Sequence, residues 1–106
     1  MQCMTLITGC LLAMAAAAVT AQDAFPSKPI QMITPQSPGT ATDIVARMFA
    51  EKMSARLGQQ VVVQNRPGAG ATIGTGLAAK AAPDGYTILM TNSAHTINPS
   101  LYDNLP

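Results

Sequence analysis

The chain has 106 residues, a formal net charge of +1, 48% apolar residues and 10% charged ones. Residues Met1 to Ala21 carry no charged side chain, so all eleven Asp, Glu, Lys and Arg fall in the 85 residues that follow. That balance excludes a basic nucleic-acid binder, which needs a concentrated positive face, and a long acidic disordered tail; 85 residues suffice for no more than one small domain.

Met4 to Val19 is an apolar stretch that closes on the alanine run Ala15 to Ala18. Val19-Thr20-Ala21 then sets small residues at the −3 and −1 positions of a cleavage site, ahead of the polar Gln22-Asp23. This is the pattern of a secretory signal peptide over residues 1–21, cut after Ala21, which implies an exported protein. No Lys or Arg precedes the apolar stretch, so the amino terminus alone supplies the usual positive charge. A transmembrane anchor would need ~20 apolar residues, and the stretch is shorter. Ile7-Thr8-Gly9-Cys10 has the look of a lipoprotein box, but most of the apolar region follows the cysteine instead of preceding it. Cys3 and Cys10 both fall in the leader. The remainder therefore has no disulfide, no thiolate metal site and no Cys nucleophile.

After a Pro-containing lead-in, Ala24 to Lys28, the residues Pro29 to Thr34 alternate apolar and polar and predict a first strand, stopped by Pro35. Gln36 to Thr40 is loop chemistry. Thr40 or Thr42 can cap a helix whose first turn holds Asp43, where a negative charge suits the dipole. Val45, Phe49, Met53 and Leu57, flanked by Ile44 and Met48, form one helical stripe. Gly58 ends it as a left-handed cap. Val61-Val62-Val63 suits a buried parallel strand, and Asn65 to Gly70 is a loop. A second helix follows with Ile73, Leu77 and Ala81 on one face. Gly74 and Gly76 weaken it by roughly 1 kcal/mol each while allowing close packing on a sheet. Pro83-Asp84-Gly85 turns the chain into a third strand, Tyr86 to Thr91. Asn92 to Thr96 reads as a polar loop, and Asn98-Pro99 as a turn or helix start. Strands alternating with helices predict an α/β chain with right-handed crossovers and three parallel strands.

Ligands of an open parallel sheet bind beyond the carboxyl ends of its strands. Three polar, small-residue loops occupy that edge: Pro35 to Asp43, Asn65 to Thr72, and Asn92 to Thr96. The first two lead into helix N-termini, where free amides and the dipole favour an anion. Gly39, Gly68 and Gly70 let backbone approach a ligand closely. Thr40, Thr42, Thr72, Ser93 and Thr96 add neutral hydroxyls, so a carboxylate can be held without a dedicated Arg. Other chemistries fit poorly. Ser93, His95 and Asp43 or Asp84 invite a hydrolytic triad, but Ser and His two apart in one loop is not a known solution and there is no G-x-S-x-G elbow. One His without Cys or an acidic cluster argues against a metal site. Gly68 to Gly74 shares some spacing with dinucleotide loops but lies after the second strand, without the later acidic residue. No catalysis and no cofactor are expected.

Four blocks resemble the tripartite tricarboxylate transporter substrate-binding proteins, the Bug or TctC-like family. Pro35 to Arg47 is similar to P-F-x-P-G-G-x-x-D-x-x-A-R. Asn65 to Gly74 is similar to N-R-P-G-A-G-G-x-x-G, with Ala71 for the last Gly of the loop. Ala79 to Ile88 is similar to A-x-x-x-P-D-G-Y-T-L, and Ile97 to Tyr102 to I-N-P-S-L-Y. Together they cover nearly all of residues 26–106. Gln36 departs from the family aromatic and Thr40 from its second Gly, which puts a side chain where backbone would approach the ligand.

The resemblance implies an exported receptor of the type II periplasmic-binding fold, whose two lobes close on a small organic acid, a di- or tricarboxylate. It would be a monomer, without nucleic acid, and would deliver its ligand to a two-subunit membrane permease. Family members hold the carboxylate by amides and hydroxyls, partly through water. Carried over, the ligand-binding residues would be Gly39, Thr40, Thr42 and Asp43 in the first loop, Gly70, Ala71 and Thr72 in the second, and Ser93, Ala94 and His95 in the third. Two lobes exceed what 85 residues supply, so residues 22–106 are expected to form an incomplete first lobe, an N-terminal fragment without hinge, second lobe or the helix after Met90. The alternatives are a non-functional truncated product, or a ligand sensor in place of a transport component.

Overall fold

The computed structural model describes residues 24–105. The leader, its cleavage point after Ala21 and both cysteines lie outside them. The elements follow in the order β1 (Ile30–Thr34), α1 (Ala41–Leu57), β2 (Val61–Asn65), a 3₁₀ turn (Ala69–Ala71), α2 (Thr72–Ala79), β3 (Thr87–Leu89) and α3 (Ala94–Leu101). The three strands form one parallel sheet in the order β2-β1-β3. Ile30 pairs with Val61 and Thr34 with Asn65 on one side of β1, and Gln31 with Thr87 and Ile33 with Leu89 on the other. The expected α/β class, the three strands and the crossover helices are all present.

β1 is central because Ile30, Met32 and Ile33 can be buried together, and all three are. Ile30 and Met32 share a face with Val61, and α1 covers it through Ala46 and Ala50, with Met53, Leu57, Val63, Tyr86, Ile88 and Met90 packed around them. Two alanines at the contact let the helix lie close on the strands. The helix starts at the cap Thr40, whose hydroxyl accepts from the Asp43 amide, and ends at Gly58 in the left-handed conformation, whose amide donates to Ser54 O at 3.1 Å. Ser54 Oγ donates to Ala50 O at 2.7 Å and accepts from the Val61 amide at 2.8 Å, which ties the end of α1 to the start of β2.

The structure corrects three expectations. The stripe of Val45, Phe49, Met53 and Leu57 is not the buried side of α1 along its whole length. Val45 is 43% and Phe49 54% exposed, while Ala46 is 0% and Asp43 3% exposed. The first half of the helix is turned by one residue, because the Asp43 carboxylate points inward to polar partners. Secondly, Ile73 and Leu77 are about half exposed, and Thr72, Gly74 and Gly76 are the buried positions of α2. Thirdly, Asn92 to Thr96 is not a plain polar loop, and a helix does follow Met90. The Asn92 side chain accepts from the Ala94 amide at 3.1 Å and opens α3, which then carries Pro99 in its last turn.

At the amino end of the sheet the lead-in closes over Tyr86. The Ser27 amide donates to the phenol oxygen at 2.9 Å, Phe25 packs edge-on at 5.0 Å between ring centroids, and Lys28 Nζ lies 4.4 Å from the ring centre. The carboxyl end carries the three loops.

Gly74 fixes how closely α2 approaches that end. A Cβ there would stand 2.6 Å from the Arg66 carbonyl oxygen and 2.8 Å from Pro35 Cβ. Replacing Gly74 by Ala should therefore destabilise the chain by about 1–3 kcal/mol from overpacking, although helix propensity alone favours Ala by ~1 kcal/mol. Urea unfolding checks this; a variant as stable as the parent would show that the contact yields.

Candidate functional site

The first loop is organised by one carboxylate. Asp43 Oδ2 accepts from the Gly39 amide at 2.9 Å and from Arg47 Nε at 3.1 Å. Its Oδ1 accepts from Asn65 Nδ2 at 2.8 Å. Burial of a charge is tolerable only with such partners. The Gly39 amide foremost, then the Asn65 carboxamide and the Arg47 guanidinium, lower its pKa from the ordinary 3.8 to about 2. Of the residues expected to hold a ligand here, Gly39 thus commits its amide and Asp43 its carboxylate within the chain. The Thr40 hydroxyl donates to Ser37 O at 2.9 Å. The amides of Ala41 and Thr42, in the first turn of α1, have no acceptor among the described residues. Ala41, Thr42, Val45, Met90 and Thr91 line a cleft of about 250 Å³.

The second loop runs through Gly68, Ala69, Gly70 and Ala71, all with positive φ. Such a left-handed run is costly at the two alanines, by roughly 1–2 kcal/mol each. It is held closed by the Ala71 amide on Gly68 O at 3.0 Å and by the Thr72 hydroxyl on Ala69 O at 2.9 Å. Gly70 lies under α3: Asn98 Nδ2 donates to its carbonyl at 2.8 Å, and the Tyr102 hydroxyl stands 2.8 Å from where a Cβ would be. A side chain there would push the Tyr102 ring aside and would be strained at φ +62°.

In the third segment Ser93 precedes α3, and Ala94 and His95 form its first turn. His95 and Thr72 line a second cleft of about 230 Å³ with Thr75, Asn98, Pro99 and Leu105. The ten expected residues thus lie along one sheet edge. Thr42 belongs to one cleft, and Thr72 and His95 to another. Among the described residues, neither aspartate considered for a hydrolytic triad bonds to His95: Asp43 is committed as described, and Asp84 caps the Tyr86 amide at 2.9 Å and pairs with Lys28 at 4.0 Å. Among the described residues, no three of His, Cys, Asp and Glu gather as metal ligands.

The sequence reading missed Asn65 as an organising residue, and it missed Thr75 and Thr91, which line the two clefts while their hydroxyl oxygens are shielded and have no hydrogen-bond partner among the described residues. The available signal was position, since Asn65 and Thr91 both follow strand residues at the carboxyl edge.

Because the folded Asp43 pKa lies below its ordinary value, its contribution to stability is complete above about pH 4 and is lost as pH falls through about 2. Asp43→Asn should be less stable than the parent at pH 7 and should lose that part of the acid sensitivity. Urea midpoints from pH 7 to pH 2 test this, and parallel profiles for parent and variant would refute it.

Comparison with known proteins agrees with this architecture. The model of the tripartite tricarboxylate transporter family receptor matches residues 45–106. BugT of Bordetella pertussis is 48% identical over 92 residues, which cover 85% of this chain and 28% of BugT. The solved structure of the periplasmic binding protein BugD aligns at 52% identity with a TM-score of 0.60, over 61% of this chain and 22% of that one. MatC from Rhodopseudomonas palustris, solved with bound malate, aligns at 38% identity and a TM-score of 0.60, with the same coverage. The chain spans 25–30% of the length of the curated relatives it matches. The family match, the relatives' identity and the parallel sheet with its three loops lead to one assignment: the chain belongs to the tripartite tricarboxylate transporter receptor family.

Proposed function

We propose that residues 22–106 supply part of the first lobe of a periplasmic receptor for a small organic acid, a di- or tricarboxylate, which passes to a two-subunit membrane permease. The observation that carries this reading is the carboxyl edge of the sheet. Two loops there enter helices α1 and α2, a third enters α3, and the Ala41 and Thr42 amides point out of a helix start with no partner among the described residues. Such amides suit a carboxylate. MatC, a structural neighbour at 38% identity, was solved with malate, and the apolar leader fits export.

In this reading Thr42, with the amide beside it, meets one carboxylate of the ligand. Gly70, Ala71 and Thr72 present backbone from the second loop, and Ser93, Ala94 and His95 approach from the third. Gly39, Thr40 and Asp43 shape the first wall. A second lobe, for which the longer relatives have the length, would form the opposite wall. The receptor works as a monomer and needs no cofactor.

Titration of malate and of a tricarboxylate into the isotope-labelled chain, followed by amide NMR, tests this. The amides of residues 39–43, 68–72 and 92–95 should shift together, with half-saturation at about 1 mM or weaker, the ~4 kcal/mol expected of one wall of a site. An acetate control should shift them less. If those amides stay unmoved at millimolar acid while others respond, the proposed edge is not the site.

A further inference from the structure

Asn65 is not among the residues assigned to the ligand, yet two loops meet on its side chain. Its Nδ2 group donates to Asp43 Oδ1 at 2.8 Å and to the Gln36 carbonyl at 3.1 Å. Its Oδ1 accepts from Arg47 Nη2 at 3.2 Å. The residue is the last of β2, pairs with Thr34 of β1 and is followed directly by the second loop. One carboxamide therefore touches the first loop through Gln36, and the start of α1 through Asp43 and Arg47, while its own backbone launches the second loop.

We infer that Asn65 is a positioning residue, which sets the first loop and the α1 N-terminus against the second loop and so tunes affinity at an acid site it does not touch. The ligand part of this inference rests on the receptor reading; the loop coupling does not. Asparagine is specific to the task, because the site uses two donors and one acceptor at once. Alanine supplies none of them. Aspartate keeps the shape but supplies no donor at neutral pH, and it places a second negative charge against Asp43. The groups that face Asp43 are Arg47 from its own helix, the neutral Asn65 from β2 and the Gly39 amide from the first loop. Two carboxylates sharing one guanidinium would titrate as a pair, and one proton would restore a donor between them.

The experiment compares the parent chain with Asn65→Ala and Asn65→Asp. Amide NMR is recorded from pH 7 to pH 4.5, with and without malate. In the parent, the Gly39 amide should hold a hydrogen-bonded shift across that range. In both variants, the amides of Gly39 and of Ala69 to Ala71 should move at pH 7, reporting loops that have lost their tie. Malate half-saturation, taken relative to the parent at the same pH, should rise about tenfold in both variants at pH 7, the equivalent of one lost hydrogen bond to a charged group. For Asn65→Asp that ratio should fall towards two- to threefold near pH 5, whereas for Asn65→Ala it should not change with pH. Equal, pH-independent losses in both variants would mean bulk destabilisation and overturn the inference. So would second-loop amides that stay in place, or a random-coil Gly39 shift in the parent. If the parent binds no malate while the loop amides respond as described, the receptor reading fails and the loop coupling stands.

Discussion

The arrangement depends on a charge held inside the protein. Asp43 is almost wholly shielded, yet it is ionised at any ordinary pH because three donors converge on it. A carboxylate in that position would be prohibitive without them. With them, it dictates geometry. Helix α1 cannot rotate to bury Val45 and Phe49 without pulling Asp43 off Gly39 and Asn65. Ala46 and Ala50 therefore face the sheet, and the helix lies close because they are small. Ile44, Met48 and Phe49 are left more than half exposed, and Val45 43% exposed. A polar contact at the first turn has thus overruled the apolar pattern of the helix's first half.

The same contact divides the sheet into two ends. At the amino end, the lead-in wraps Tyr86 with an aromatic, a cation and two polar groups of Ser27. At the carboxyl end, the backbone is shaped by closeness. Gly74 lets α2 meet Arg66 and Pro35, and Gly70 lets α3 come down on the second loop through Asn98 and Tyr102. A larger side chain at Gly74 would meet backbone, and one at Gly70 would displace the Tyr102 ring. Strain is concentrated here too, in the left-handed run from Gly68 to Ala71, as expected where a segment is held by its neighbours and not by its own preferences.

What the sequence discloses, and what it hides, follows from range. The strands are visible because Ile30 to Thr34 and Val61 to Val63 announce themselves by alternation and β-branching. The caps at Thr40 and Gly58 are visible because capping is a matter of a few residues. The motif blocks place the loops at one edge. The rotation of α1 is not visible, because a periodic pattern counts Asp43 as a surface residue and the partner that draws it inward is 22 residues away, at Asn65. The start of helix α3 is hidden for a related reason. Asn98-Pro99 reads as a turn or helix start, later than the true one at Ala94, while the helix's anchor, Asn98 on the Gly70 carbonyl, spans 28 residues. The division of the candidate residues between two clefts needs the packing of α3 on α2, which no local signal contains.

The electrostatics of the edge set the terms on which it can hold an acid. Arg47 spends its Nε on Asp43 and an Nη2 donor on Asn65, so part of its charge is already answered within the chain. A net charge of +1 gives little long-range attraction for an anion. Recognition then falls to amides and hydroxyls, whose pull is short-ranged and weak in water but grows steeply as water is excluded. An open sheet edge provides direction without exclusion. In the proposed receptor reading the Ala41 and Thr42 amides orient a carboxylate, and strong and selective holding requires a second surface to close over it. Loops braced by a buried carboxylate leave little ordering to be done when a ligand arrives, which is what the proposed receptor reading asks of this wall.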